Sequence, residues 1–171
     1  SYTSTIEYAE TGIAQSLRGI AQVIFKGLGT RVLYTSQGGY DTHANQVSVQ
    51  TPLLSDLSAG IGDFFADLSE HDAADNVMML VFTEFGRRVK DNGSGSDHGS
   101  GGGCYLIGQP VKGGTLGDYP SLKEEDQLDG DLHFNVDFRS VYSTIVDKWL
   151  GLDAQTAIGG NYETLDFVRS N

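Results

Sequence analysis

Asp41, His43, Glu84 and His98 are of the types that hold a divalent cation, and each stands beside a short apolar run. Asp41-Thr42-His43 follows Arg31-Val32-Leu33-Tyr34-Thr35-Ser36 and the pair Gly38-Gly39. Glu84 follows Val77-Met78-Met79-Leu80-Val81-Phe82, with Thr83 between. Asp97-His98-Gly99 leaves a glycine-serine loop ahead of Cys104-Tyr105-Leu106-Ile107. Carboxylate oxygens and imidazole nitrogens are zinc ligands, and carboxylates also suit manganese and calcium. In open α/β sheets, ligands bind beyond the carboxyl ends of strands. Asp41, His43 and Glu84 fall at such ends.

Each residue also has a plainer reading. A D-x-H triplet describes many surfaces; the preceding strand and glycines are what let carboxylate and imidazole turn toward one ion. Glu84 could be a charge leaving the core, paired with Arg87 or Arg88. Arg87 could clamp a phosphate or sulfate oxygen bidentately, or hold Glu84 in a salt bridge; the sequence leaves both open. His98, in a glycine loop, has no packing role to explain it. His71, beside Asp72 at a helix end, reads as exposed and inert, and His133 as a bystander near an acidic stretch. No G-x-S-x-G elbow and no P-loop ending in Lys-Ser/Thr is present, which argues against an α/β-hydrolase nucleophile and a nucleotide cradle.

The elements that must position these groups follow from periodicity. Ile13, Leu17, Ile20, Ile24 and Leu28 share one helical face, predicting a helix from about Glu7 to Leu28 that ends at Gly27 and Gly29. Leu53, Leu54, Leu57, Ile61, Phe64, Phe65 and Leu68 predict a second, within which Gly60 and Gly62 each cost about 1 kcal/mol relative to Ala. Arg31–Ser36, Val77–Thr83 and Cys104–Ile107 read as strands, the first two parallel and joined by a right-handed crossover. Residues 88–103, with six glycines, read as a long loop. A last helix begins at the N-cap Asp137, buries Phe138, Tyr142, Ile145 and Trp149, and stops at Gly151. Residues 1–171 thus read as a single α/β domain, a mostly parallel sheet with helices on both faces.

The chain carries 11 basic and 23 acidic residues, a net charge of −12. That leaves no basic footprint for nucleic acid. No apolar run approaches the roughly 20 residues needed to span a bilayer. The acidic stretch Lys123–Asp131 reads as a solvated loop. Cys104 is the single cysteine, so no intrachain disulfide forms, and its apolar setting predicts burial. The chain opens Ser1-Tyr2-Thr3-Ser4, without an initiator Met or a signal-peptide pattern there, which reads as either a processed mature chain or a fragment.

Several blocks together resemble domain-of-unknown-function family 1501, a branch of the alkaline phosphatase and sulfatase superfamily. They are Gly38-Gly39-Tyr40-Asp41-Thr42-His43-Ala44-Asn45-Gln46, Phe82-Thr83-Glu84-Phe85-Gly86-Arg87 and Asp97-His98-Gly99. Val111-Lys112-Gly113-Gly114, Val136-Asp137-Phe138-Arg139-Ser140-Val141-Tyr142 and Trp149-Leu150-Gly151 extend the match over nearly the whole chain.

The resemblance implies the carboxyl-terminal part of an alkaline-phosphatase-like fold, with a metal site at the sheet edge. Asp41, His43 and His98 match ligands of that site. Glu84 would face a second ion or orient a ligand, and Arg87 would bind the substrate anion. Phe85 departs from the pattern, standing where the superfamily places a metal-binding His. The nucleophile and first acidic ligands are expected from an amino-terminal half, so no residue of this chain is assigned as nucleophile. The implied function is metal-dependent hydrolysis of small-molecule or glycan phosphate or sulfate esters, with Zn²⁺ first and Mn²⁺ or Ca²⁺ as alternatives. The isolated chain is expected to be inactive. The rival expectation is a non-catalytic exported module for binding or assembly that keeps the fold with or without metal, and a third is a structural α/β domain with no bound metal. The resemblance further implies a bacterial periplasmic or secreted setting, and as partners an amino-terminal half or a second copy.

Overall fold

The computed structural model describes residues 2–169. They form a mixed α/β chain of two compact units. One holds the residues up to Asn76 together with Asp91–Ser96; the other holds Val77–Lys90 and the chain from Asp97 onward. No helix is long and apolar enough to cross a membrane among the described residues.

The first unit is built on two helices, α1 (Gly12–Phe25) and α2 (Gln46–Glu70). Thr11 caps α1 by accepting from the Ala14 amide, which satisfies one of the donors left open in a first helical turn. The buried face of α1 is Ile13, Ala14, Leu17 and Ala21. Ile20 and Ile24 are only half-buried, and Leu28 lies exposed beyond the helix end. The face shifts because small residues set the helix crossing. A Cβ on Gly60 of α2 would sit 3.2 Å from the Ala14 Cα and 3.4 Å from the Leu17 Cδ1. Gly60 therefore permits the close approach, whereas Gly62 faces open space.

The end of α2 is tied to the segment leading into α1 through Asp67, whose side chain is fully buried. Its Oδ2 accepts from the Tyr2 hydroxyl at 2.5 Å and the Tyr8 hydroxyl at 2.8 Å. Burial, reinforced by those bonds to Asp67, raises both phenols, Tyr2 to about 12. Glu70, one turn on, accepts from the Ser4 hydroxyl at 2.9 Å and the Thr5 amide at 3.1 Å.

His71 closes this arrangement, and the expectation of an exposed, inert ring is corrected. Its Nδ1 faces the Asp67 carbonyl at 2.9 Å and its Nε2 the Thr3 carbonyl at 3.0 Å. A carbonyl oxygen only accepts, so both contacts are satisfied only when both nitrogens carry a proton. The imidazolium lies 3.2 Å from the Asp67 carboxylate and packs against Phe25 with ring centroids 4.3 Å apart. A positive charge there also suits the carbonyl end of α2. Asp67, Glu70 and His71 bring possible ligand atoms within 4.8 Å of one another, but ring nitrogens donating to carbonyls have no lone pair left for a cation.

In the second unit, β1 (Met79–Val81) pairs antiparallel with β4 (Tyr105–Ile107), Leu80 opposite Leu106. β2 (Gly86–Asp91) and β3 (Ser96–Gly99) form a second two-stranded sheet. α3 (Phe138–Thr144) continues into a π-helical turn, Ile145–Trp149, and α4 (Ala154–Ile158) follows.

Several expectations change here. Residues 31–36 form no strand, and the Val77–Thr83 run keeps only Met79–Val81 as β1. The mostly parallel sheet is not formed among the described residues, whose sheets are two-stranded. A parallel sheet needs both faces covered, whereas Val32 and Tyr34 are 70% and 75% exposed and β1 is only half-buried. The glycine-rich stretch 88–103 is largely the β2–β3 hairpin. Cys104 is exposed, since it precedes the paired part of β4. Asp137 does cap α3, accepting from the Arg139 amide at 2.8 Å, but the buried face is Ser140, Val141, Ser143 and Thr144, with Phe138 exposed. Thr144 determines that face: its hydroxyl donates to the Ser140 carbonyl and accepts from the Leu165 amide, both at 2.7 Å.

Two measurements check this account. Gly62→Ala should raise stability by about 1 kcal/mol in urea denaturation, the helix-propensity gain alone. Gly60→Ala should lower it, because overpacking of about 1–3 kcal/mol against the Ala14 backbone outweighs the same gain. The second check is pH. The His71 pKa is raised, first by its bond to the Asp67 carbonyl and further by the Thr3 carbonyl and the Asp67 charge, against an opposing effect of burial. Its stabilisation is complete below the unfolded value of about 6.5 and disappears as pH rises through the higher folded value. The denaturation midpoint should therefore fall across that window relative to His71→Gln, which should lack this component.

Candidate functional site

The Asp41-Thr42-His43 loop belongs to the first unit and is fixed from several sides. Gly39 has φ +100°, and a Cβ there would meet the Leu53 side chain at 3.1 Å, so the chain turns sharply against α2 only with glycine. Thr42 is buried. Its hydroxyl accepts from the Gln50 side-chain amide at 2.8 Å, and its own amide donates to the Tyr40 carbonyl at 2.9 Å. With Thr42 turned inward, Asp41 and His43 are left on the surface. The His43 Nε2 and the Asp41 Oδ1 are 3.1 Å apart, and both side chains are half or more exposed.

The turn of the β2–β3 hairpin, residues 91–96, packs on this loop. Asn92 shapes the turn: its side-chain oxygen accepts from the Ser94 and Gly95 amides at 3.2 and 2.9 Å, while Gly93 takes φ +99°. The Asn92 side-chain amide donates to the His43 carbonyl at 3.0 Å. The Ser94 hydroxyl and carbonyl accept from the Asn45 and Gln46 amides at 2.9 and 3.2 Å, and the Ser96 hydroxyl donates to the Gln46 side chain at 2.8 Å. These contacts satisfy open donors at the start of α2, where Asn45 has no side-chain cap bond. Gly95 is buried, and a Cβ on it would lie 2.7 Å from the Thr42 carbonyl oxygen and 2.9 Å from the His43 carbonyl carbon.

In the second unit, Glu84 is exposed in the bend between β1 and β2. Among the described residues it pairs with neither Arg87 nor Arg88; Arg88 instead donates to the Asp129 carbonyl at 3.3 Å. Phe85 stacks on the His98 ring with centroids 3.8 Å apart and planes 13° from parallel. The Arg87 guanidinium carbon lies 5.0 Å from the centroid of the same Phe85 ring. His133 is exposed, as a bystander would be.

Asp131, which the sequence placed in a solvated acidic loop, holds the chain just after His98. Its Oδ1 accepts from the Ser100 amide at 2.8 Å, the Ser100 hydroxyl at 2.9 Å and the Leu132 amide at 2.9 Å. Burial pushes its carboxyl up, but these bonds more than offset that and hold it below the usual value. No periodicity marks such a residue. The Asn92-Gly93 dipeptide was a legible signal, since Asn-Gly between two runs marks a hairpin turn.

A protein family of unknown function, DUF1501, matches residues 10–163. The chain belongs to this family. No curated protein and no solved structure matches it. The DUF1501 match takes in all five residues singled out for chemistry: Asp41, His43, Glu84, Arg87 and His98.

In this DUF1501 chain the seat under Asp41 and His43 depends on a missing side chain. Gly95→Ala should force the turn off the loop and cost about 1–3 kcal/mol as overpacking. Hydrogen exchange should show faster exchange at the Thr42, Asn45 and Gln46 amides. Gly93→Ala, at a position open to solvent, should leave those amides protected and cost only its backbone strain.

Proposed function

We propose that this chain is a metal-dependent hydrolase-like domain related to phosphatases and sulfatases. It would act on small-molecule or glycan phosphate or sulfate esters when completed by an amino-terminal half. Asp41, His43 and His98 would hold one divalent ion, Zn²⁺ in the first place and Mn²⁺ or Ca²⁺ as alternatives. The proposal includes the superfamily placement, an alkaline-phosphatase-like parent fold and a bacterial periplasmic or secreted setting.

The observation that carries it is the Asp41–His43 pair. Two ligand atoms each about 2.0–2.2 Å from a tetrahedral zinc stand roughly 3.4 Å apart. The carboxylate oxygen and imidazole nitrogen, at 3.1 Å, are close to that spacing and exposed, on a loop whose backbone is held from beneath. His98 is the third ligand that the family resemblance implies.

A bound ion would polarise the ester oxygen and stabilise negative charge developing on it. Arg87 would bind the remaining anionic oxygens through its planar fork. Glu84, exposed and without an ion-pair partner among the described residues, would orient a ligand. Phe85 offers no donor to a second ion, so one ion per chain is expected. The Thr42 hydroxyl is buried and bonded to Gln50, which removes it as a nucleophile. Supplying the nucleophile is the part left to an amino-terminal half.

Elemental analysis of unchelated protein, combined with aryl phosphate and aryl sulfate assays in added Zn²⁺, Mn²⁺ or Ca²⁺, tests this reading. About one ion per chain and negligible turnover are expected, since positioning a nucleophile accounts for roughly 7–11 kcal/mol of barrier. His43→Ala and His98→Ala should each weaken metal binding. Wild-type protein without metal affinity would refute the site. Robust turnover abolished by His98→Ala would show that the chain supplies its own nucleophile.

A further inference from the structure

We infer that Phe85 is the positioning residue for both the ion ligand His98 and the anion-binding Arg87, an inference that rests on the reading above. The superfamily resemblance explains only what Phe85 lacks. The structure gives it contacts of its own. Its ring lies flat on the His98 imidazole, 3.8 Å between centroids and 13° between planes, and the Arg87 guanidinium stands 5.0 Å from the same centroid. One aromatic ring touches both side chains to which binding is assigned.

The backbone keeps that ring in place. Phe85 immediately precedes Gly86, the first residue of β2, and His98 lies in β3. A Cβ on Gly86 would come within 2.7 Å of the Gly99 carbonyl oxygen and 2.6 Å of the Gly101 carbonyl oxygen. Arg87 exchanges both backbone bonds with Gly101, at 2.7 and 3.2 Å. The two segments therefore meet at closest backbone approach where Phe85 and His98 leave the chain.

Stacking has a specific consequence for ligation. An imidazole binds a metal through a lone pair in the plane of its ring, so fixing the plane fixes the directions its nitrogens can serve. Histidine ligands are commonly oriented by a hydrogen bond to the other ring nitrogen; an aromatic face constrains the ring plane as well, and Phe85 supplies one to His98. The guanidinium near the same ring gains cation–π attraction, a contact that engages its charge rather than the N–H edge by which a guanidinium meets an anion. A non-aromatic side chain of similar volume would fill the space without setting either plane.

The test compares Phe85→Leu and Phe85→Met with Phe85→Tyr, in the full chain. Zinc is titrated against a chromophoric chelator, inorganic phosphate is titrated into the zinc-loaded protein, and the carbon-bound ring protons of His98 are followed by NMR. The amide resonances of α3, in the same unit as Phe85, report folding of each variant. Both non-aromatic variants should bind zinc about 10–100-fold more weakly, bind phosphate several-fold more weakly, and shift the His98 ring protons downfield as the ring current is lost. Phe85→Tyr should restore all three. Zinc binding unchanged in a folded non-aromatic variant, or Phe85→Tyr as weak as Phe85→Leu, would overturn the inference while leaving the metal site standing. Wild-type protein that binds no zinc would overturn the metal reading, and this inference with it.

Discussion

The backbone of Gly95 lies against the carbonyls of Thr42 and His43 with no space for a side chain, and the candidate site depends on that approach. Around it, Asn92, Ser94 and Ser96 bond to His43, Asn45 and Gln46. A loop bearing two exposed polar residues would ordinarily be mobile. Here main-chain bonding and the burial of Thr42 hold the loop on the start of α2. Asp41 and His43 are thereby oriented by their backbone while their side chains stay open to solvent. A ligand pair needs that combination, because ordering the groups in advance removes part of the entropy that binding would otherwise cost.

A second constraint works at the other end of α2. Asp67 would be very unfavourable if buried alone; two phenols and an imidazolium compensate it. The same groups fasten residues 2–8 to the helix, so α2 is anchored near both ends by polar contacts and along its middle by the Gly60 crossing. The helix carrying the Asp41–His43 loop is thus held independently of that loop. In the second unit Asp131 plays the comparable part, bonding Ser100 and so fixing the chain that follows His98.

Helices α1 and α2 were legible because amphipathic spacing reports directly on a helical face. The caps at Thr11 and Asp137 have the expected side-chain chemistry. Strands were less legible. An apolar run such as Val32–Tyr34 records a preference for burial and not the partner that would satisfy it, and in this structure Val32 and Tyr34 stay exposed while Leu33 is half-buried. Glycine content was ambiguous for the same reason: Gly93, Gly95, Gly99 and Gly101 suggested a loop, although several are the close approaches that let the hairpin and its neighbours form.

The sequence by itself determined the two amphipathic helices, the residue types Asp41, His43, Glu84, Arg87 and His98 with their order along the chain, and membership of DUF1501. Those properties are local, or are carried by patterns that survive without coordinates. Tertiary structure decided the rest. It set His71 between two carbonyls, made Asp67 a buried hub, placed the 91–96 turn under the Asp41–His43 loop and laid Phe85 on His98. Each of these is a contact between residues distant in sequence, fixed by which atoms pack together and which polar groups must then be satisfied, and neither periodicity nor composition encodes that.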